Sequence, residues 1–190
     1  MRMAYLMPYV ILILLDRSEE FRMTTPYQQV KEFHDHFDPI EKTEVSALSK
    51  EMAEFRSGFK LEEILEFLYA ANAGDEEGFR SSVDYLKNSL DKEADALVEK
   101  KKQVDPLVDE VDALIDLLYF TYGSFVMMNV DPTPIFNLVH QANMGKLFPD
   151  GQPRYHEVTG KVLKPDNWEK DYAPEQKILK EIEKQKAEFS

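Results

Sequence analysis

The sequence contains no cysteine, which removes disulfides, thiolate metal sites and cysteine nucleophiles together and is compatible with a reducing cytoplasm. Glycine is scarce, at seven residues in 190, while Leu, Glu, Lys and Ala are plentiful, so the composition leans towards helix. Positive charge is short as well: 23 Lys and Arg against 36 Asp and Glu give a formal net charge of −13. Without a concentrated basic patch such a chain repels a phosphate backbone, so no nucleic-acid partner is expected. A nucleotide bound through metal ions is not excluded on that ground. Long apolar runs are nearly absent. The one candidate, AYLMPYVILILL at 4–15, is too short to span a bilayer and is interrupted by Pro8. The DRSEEFR that follows offers no small-residue cleavage site. Neither secretion nor a membrane partner is expected, and the expected location is cytoplasmic.

What is present begins at Met23, where the composition changes abruptly. TTPYQQVKEF reads as a helix start, with Thr25 as N-cap and Pro26 in the first turn. The expectation is therefore that Met23 is the native start and that residues 1–22 are a non-native or disordered N-terminal extension. Residues 23–190 are then a single helical domain. Helices are expected from Thr25 to Phe37, from Val45 to about Ala73, over the Phe79 to Leu97 stripe, from Pro106 to Val130, and from Asp131 or Thr133 through Val139. The Pro106 helix is apolar nearly all round and reads as a central one. A turn-rich segment at 149–170 has at most a small hairpin around Tyr155 to Leu163, and a charged helix at 174–189 closes the chain. His34 and His36 point to different helix faces, which favours surface roles over metal binding, and His140 reads as packing.

Two acidic strips stand out. In LEEILEFL, Leu61, Ile64, Leu65 and Leu68 form an apolar stripe at about 100° per residue, while Glu63 and Glu66 sit one turn apart on another face, next to Glu62. On the Pro106 helix the strip left by the apolar residues carries Asp109, Asp112 and Asp116, with no lysine or arginine interleaved. Like charges four residues apart cost a few tenths of a kcal/mol on an exposed helix, roughly the size of a favourable pair with the sign reversed. A divalent cation reverses that sign. Glu63, Glu66, Asp112 and Asp116, facing one another across two packed helices, would offer four oxygen donors of the kind magnesium prefers. A solvated helix face is the alternative for either strip taken alone. Arg56 and Lys60 lie about two turns and one turn before Glu63, placed to meet a polyphosphate.

These same residues carry a family resemblance. The EE-x-x-E turn at Glu62, Glu63 and Glu66, DALIDLLYFTYG from Asp112 to Gly123, FNLVHQANMGKL from Phe136 to Leu147 and GKVLKPDNW from Gly160 to Trp168 resemble the MazG-like all-α nucleoside triphosphate pyrophosphohydrolases. Within them the chain is most similar to the phosphoribosyl-ATP pyrophosphohydrolase-like branch. The resemblance implies an all-α antiparallel helical bundle with a turn-rich C-terminal segment, a nucleotide substrate, and a homodimer or homotetramer. It also implies Mg2+, with Mn2+ as a substitute, held through an E-x-x-E motif at Glu63 and Glu66 and an E-x-x-D motif ending at Asp116. Where that second motif has glutamate this chain has Ala113, and the role passes to Asp112 on the same strip. The resemblance further implies that Asn143 and Lys146 contact the nucleotide or its phosphates. Lys161 and Lys164, in the turn-rich segment, are candidate phosphate contacts as well. Residues 75–103 read as an inserted helical stretch. The expected activity is magnesium-dependent hydrolysis of a nucleoside triphosphate to a monophosphate and pyrophosphate, with Glu62 or Glu63 as the proton acceptor for the attacking water. The competing reading is a non-catalytic helical interaction protein with a degenerate metal site.

Overall fold

The computed structural model describes residues 24–40, 44–100 and 103–188. The expected start at Met23 and the apolar run before it lie outside the described residues. Among those residues the chain is helical, and its only extended pairing is a single antiparallel bridge between Tyr155 and Val162 in place of a full hairpin.

Among the described residues seven helices follow one another: α1 Pro26–Phe37, α2 Lys50–Ala71, α3 Glu76–Lys100, α4 Pro106–Met128, α5 Pro132–Met144, α6 Trp168–Asp171 and α7 Glu175–Glu188. Their ends have identifiable causes. Thr25 and Gln28 form a reciprocal capping box, the Thr25 hydroxyl accepting from the Gln28 N–H and the Gln28 side chain accepting from the Thr25 N–H, so α1 starts where the sequence places it. Helix α2 starts later than Val45, because the Ser49 hydroxyl accepts the Met52 N–H and fixes the first turn there. It stops at a left-handed pair, Ala73 at φ 50° and Gly74 at φ 84°. Asp131 caps α5 by accepting the Thr133 N–H, and Asn129, at φ 55°, turns the chain out of α4.

The described residues fall into two compact units, one of residues up to Lys42 and from Thr121 onward, the other of 43–120. The core lies in the first. Phe37, Ala142 and Trp168 are buried there, Phe33 stacks on Phe37 with centroids 4.3 Å apart, and α5 packs against both α1 and α7. The Tyr155 hydroxyl donates to the Phe37 carbonyl, which ties the turn-rich tail to the end of α1.

In the second unit, α2 and α3 meet at their shared turn. Tyr69 and Phe79 form a T-shaped pair at 5.3 Å, and the Asn72 amide donates to the Leu68 carbonyl and the Ser82 hydroxyl. Glu110 near the start of α4 accepts the Leu48 N–H at 2.9 Å. Yet α2, α3 and α4 contain no buried residue. The expectation of a central, buried α4 is therefore not met in the single chain. Its apolar circumference, including Ile115, Leu118 and Phe120, is exposed, and by length and composition alone its 23 residues would suffice to cross a membrane.

Candidate active site

Helix α2 places Glu62, Glu63 and Glu66 on its exposed surface, and α4 does the same for Asp112 and Asp116. The donor chemistry suits a hard divalent cation, since all are carboxylate oxygens. The geometry of one chain does not: among the described residues no three acidic or histidine side chains come close enough together to hold an ion. Arg56 and Lys60 also turn back on their own helix. The Arg56 guanidinium lies 5.8 Å from the Phe59 ring centroid, and Lys60 Nζ donates to the Arg56 carbonyl at 3.2 Å.

The phosphate candidates at the other end of the sequence do converge in part. Past the last turn of α5, Lys146 Nζ donates to Asn143 Oδ1 at 2.8 Å. Burial pushes the proton affinity of Lys146 below the ordinary lysine value, and the positive charge of Lys164 lowers it further. The tail brings Lys164 there. Its Nζ lies 3.6 Å from the centroid of the Trp168 ring and 3.2 Å from Glu169 Oε1. Trp168 is itself anchored, its indole N–H donating to the Ala142 carbonyl at 2.8 Å while the side chain is 5% exposed. Tyr172 completes the junction: a Cβ added to Gly145 would sit 2.2 Å from its ring, so only glycine allows this approach. Two lysines held near each other beside a carboxamide form a patch that an anion would relieve of repulsion. Lys161 is exposed in the turn ahead of them, where its carbonyl accepts the His156 N–H at 2.8 Å.

Of the two histidines expected at the surface, His36 is exposed, whereas His34 is half-buried with its Nδ1 3.7 Å from Asp38 Oδ2. His36 Nδ1 bonds the Glu32 carbonyl at 2.9 Å, and His140 Nε2 lies 3.1 Å from Glu32 Oε2, linking α5 to α1. Sequence reasoning missed Gln29 beside them. It is 6% exposed and donates from Nε2 to Asn137 Oδ1 at 2.5 Å. The signal was available, because Gln29 precedes Phe33 and Phe37 at i, i+4 and i+8 and so interrupts a buried stripe with an amide.

This helical fold, with carboxylates on two long helices and lysines past a third, matches a solved structure from Exiguobacterium sp. 255-15, a "putative NTP pyrophosphohydrolase". The match covers 88% of this chain and 99% of that one, with 35% identity and a TM-score of 0.79. The fold class is thus that of the all-α NTP pyrophosphohydrolases. The model of the phosphoribosyl-ATP pyrophosphohydrolase family matches residues 30–143, and the chain belongs to that family. It is a hydrolase acting on pyrophosphate bonds. The matched segment contains both acidic strips and ends at Asn143, short of Lys146, Lys161 and Lys164. No curated protein matches the chain.

Proposed function

We propose that the protein is a magnesium-dependent nucleoside triphosphate pyrophosphohydrolase that releases pyrophosphate and a nucleoside monophosphate, and that it works as a homodimer or homotetramer. The observation that carries this reading is the pair of acidic strips, Glu62, Glu63 and Glu66 on α2 and Asp112 and Asp116 on α4, inside the family-matched segment. Glu63, Glu66, Asp112 and Asp116 would hold Mg2+, or Mn2+ in its place, which when bound polarises phosphate oxygens and lowers the pKa of the attacking water. Whichever of Glu62 and Glu63 is not committed to the cation accepts the water's proton. Lys146 and Lys164 neutralise phosphate charge, with Asn143 orienting Lys146; Arg56, Lys60 and Lys161 are the further cations available to the polyphosphate.

Because the carboxylates do not gather among the described residues of one chain, the reading takes association to complete the cation site. The exposed apolar faces of α2 and α4, Phe55, Phe59, Ile64, Phe67, Val111 and Leu118 among them, supply the hydrophobic area for it. Pyrophosphate release from a panel of nucleoside triphosphates, with and without Mg2+, tests the activity. Glu66→Ala and Asp116→Ala are expected to abolish Mg2+-dependent release while leaving the metal-free protein as stable as before or slightly more so. Asp112→Ala should be nearly as damaging, and Asp109→Ala much less. Equal, mild losses at Asp109, Asp112 and Asp116 would make the strip a solvated face and end the assignment.

A further inference from the structure

The patch past α5 pairs two lysines whose surroundings are unequal. Lys164 is compensated twice over: its Nζ lies 3.2 Å from Glu169 Oε1 and 3.6 Å from the centroid of the Trp168 ring, and both neighbours favour the ammonium form. Lys146 is half-buried. Among the described residues its Nζ has one hydrogen-bond partner, the neutral carboxamide oxygen of Asn143 at 2.8 Å, which engages one N–H. An ammonium at that place has two further protons to satisfy and the charge of Lys164 beside it, whereas a neutral amine has one proton fewer and a free lone pair. The lowered proton affinity of Lys146, caused first by burial and then by Lys164, agrees with this geometry.

An amine next to a second cation is the arrangement that makes lysine a nucleophile near neutral pH. Here the amine is also held by Asn143, and the chain has no cysteine to compete for an electrophile. A fitting reagent carries an anion next to an electrophilic carbon. We propose that Lys146 is an acylation site for acyl phosphates, with Lys164 seating the phosphate group while Lys146 takes the acyl group. The Lys146 lone pair attacks the carbonyl carbon, a C–N bond forms, and the C–O bond to phosphate breaks. Phosphate departs with the bonding electron pair and takes up the proton that the nitrogen releases, leaving as hydrogen phosphate. The amide product keeps one N–H, as many as Asn143 accepts, and it removes a charge from a half-buried position. On both counts it suits the site better than an ammonium. Loss of that charge should also weaken the hold on polyphosphate, a consequence that rests on the reading of the patch as a phosphate site.

The test incubates the full chain with acetyl phosphate at neutral pH and follows each lysine by peptide mass spectrometry. Lys146 is expected to acetylate about tenfold faster than Lys92 and Lys180, which are exposed on α3 and α7. Inorganic phosphate added as a competitor should slow Lys146 several-fold and leave Lys92 and Lys180 unchanged. Lys164→Met should slow Lys146 as well, and more with acetyl phosphate than with acetic anhydride, which carries no phosphate to seat. A Lys146 rate no higher than at Lys92 and Lys180, or one indifferent to added phosphate, would overturn the proposal. Both readouts come from the unaltered chain, so a variant that misfolds does not decide the outcome. The two readings fail separately. Phosphate-sensitive acetylation of Lys146 without pyrophosphate release from any nucleoside triphosphate sinks the hydrolase reading alone, whereas pyrophosphate release with an unreactive Lys146 sinks the acylation site alone.

Discussion

Lys146 has two opposing demands on it. Burial and the neighbouring Lys164 both disfavour its ammonium form, whereas a bound polyphosphate would favour it. Since its proton affinity in the fold lies below the ordinary 10.5, the unfolded chain binds the proton more tightly, and this residue's contribution to stability rises with pH between the two values. Below the folded value the penalty is fully present. Lys146→Met is accordingly expected to keep or raise the melting temperature at pH 7, with the difference from the parent shrinking as pH rises from the folded value towards ~10.5 and gone above it, where the unfolded chain's lysine also loses its proton. The same change should weaken tripolyphosphate binding by an order of magnitude. A lowered melting temperature with unchanged binding would make Lys146 a structural residue. The sequence marked Lys146 and Lys164 as phosphate candidates, but it could not show that they approach each other. That depends on Trp168 folding back onto Ala142. Gln29 was overlooked for a related reason: its meaning lies in the Asn137 amide 108 positions away.

At the scale of elements, helix starts were legible wherever a side chain closes the first turn locally. Thr25 and Gln28 are three residues apart and need no tertiary partner. Thr25→Ala should lower stability by about 1 kcal/mol, measured by urea unfolding. The start of α2 was misplaced because Val45 and Leu48 continue the apolar pattern backwards, and only the Ser49 cap interrupts it. Helix α6 went unread, since four residues from Trp168 to Asp171 show no period. Its junction with α5 is nonetheless where the tail is held. Gly145→Ala forces a methyl group into the Tyr172 ring, and overpacking of this kind costs about 1–3 kcal/mol, or several degrees in melting temperature for a chain of this size. Combining it with Tyr172→Ala should recover part of the loss. Full additivity of the two changes would mean that the contact is not the cause.

For the whole molecule, the exposed apolar faces of α2, α3 and α4 are the dominant feature. Three helices without a buried side chain gain little hydrophobic free energy to set against the entropy of ordering them, about 1–2 kcal/mol per residue for the backbone alone. Light scattering in detergent-free buffer at micromolar concentration is expected to give a dimer or tetramer. Cross-linking between α2 and α4 of different copies should require the assembled state. A monomer that becomes soluble only with detergent would instead point the apolar length of α4 at a bilayer. Here the sequence was informative in an indirect way. The apolar circumference of α4 was plain, and it was read as burial in one chain, because periodicity reports which face seeks cover and not which molecule provides it.

The position of Trp168 has an optical consequence. It is the only tryptophan in the chain, and the ammonium of Lys164 rests over its ring, so the protein's intrinsic emission originates beside the anion patch. Drawing Lys164 towards a polyphosphate should alter the emission intensity while leaving its wavelength nearly fixed, because the indole stays buried. Undocking of the tail, as in Gly145→Ala, should shift the same emission to the red. An unlabelled sample in a fluorimeter can thus separate ligand arrival from loss of structure, two events that a melting curve alone would merge.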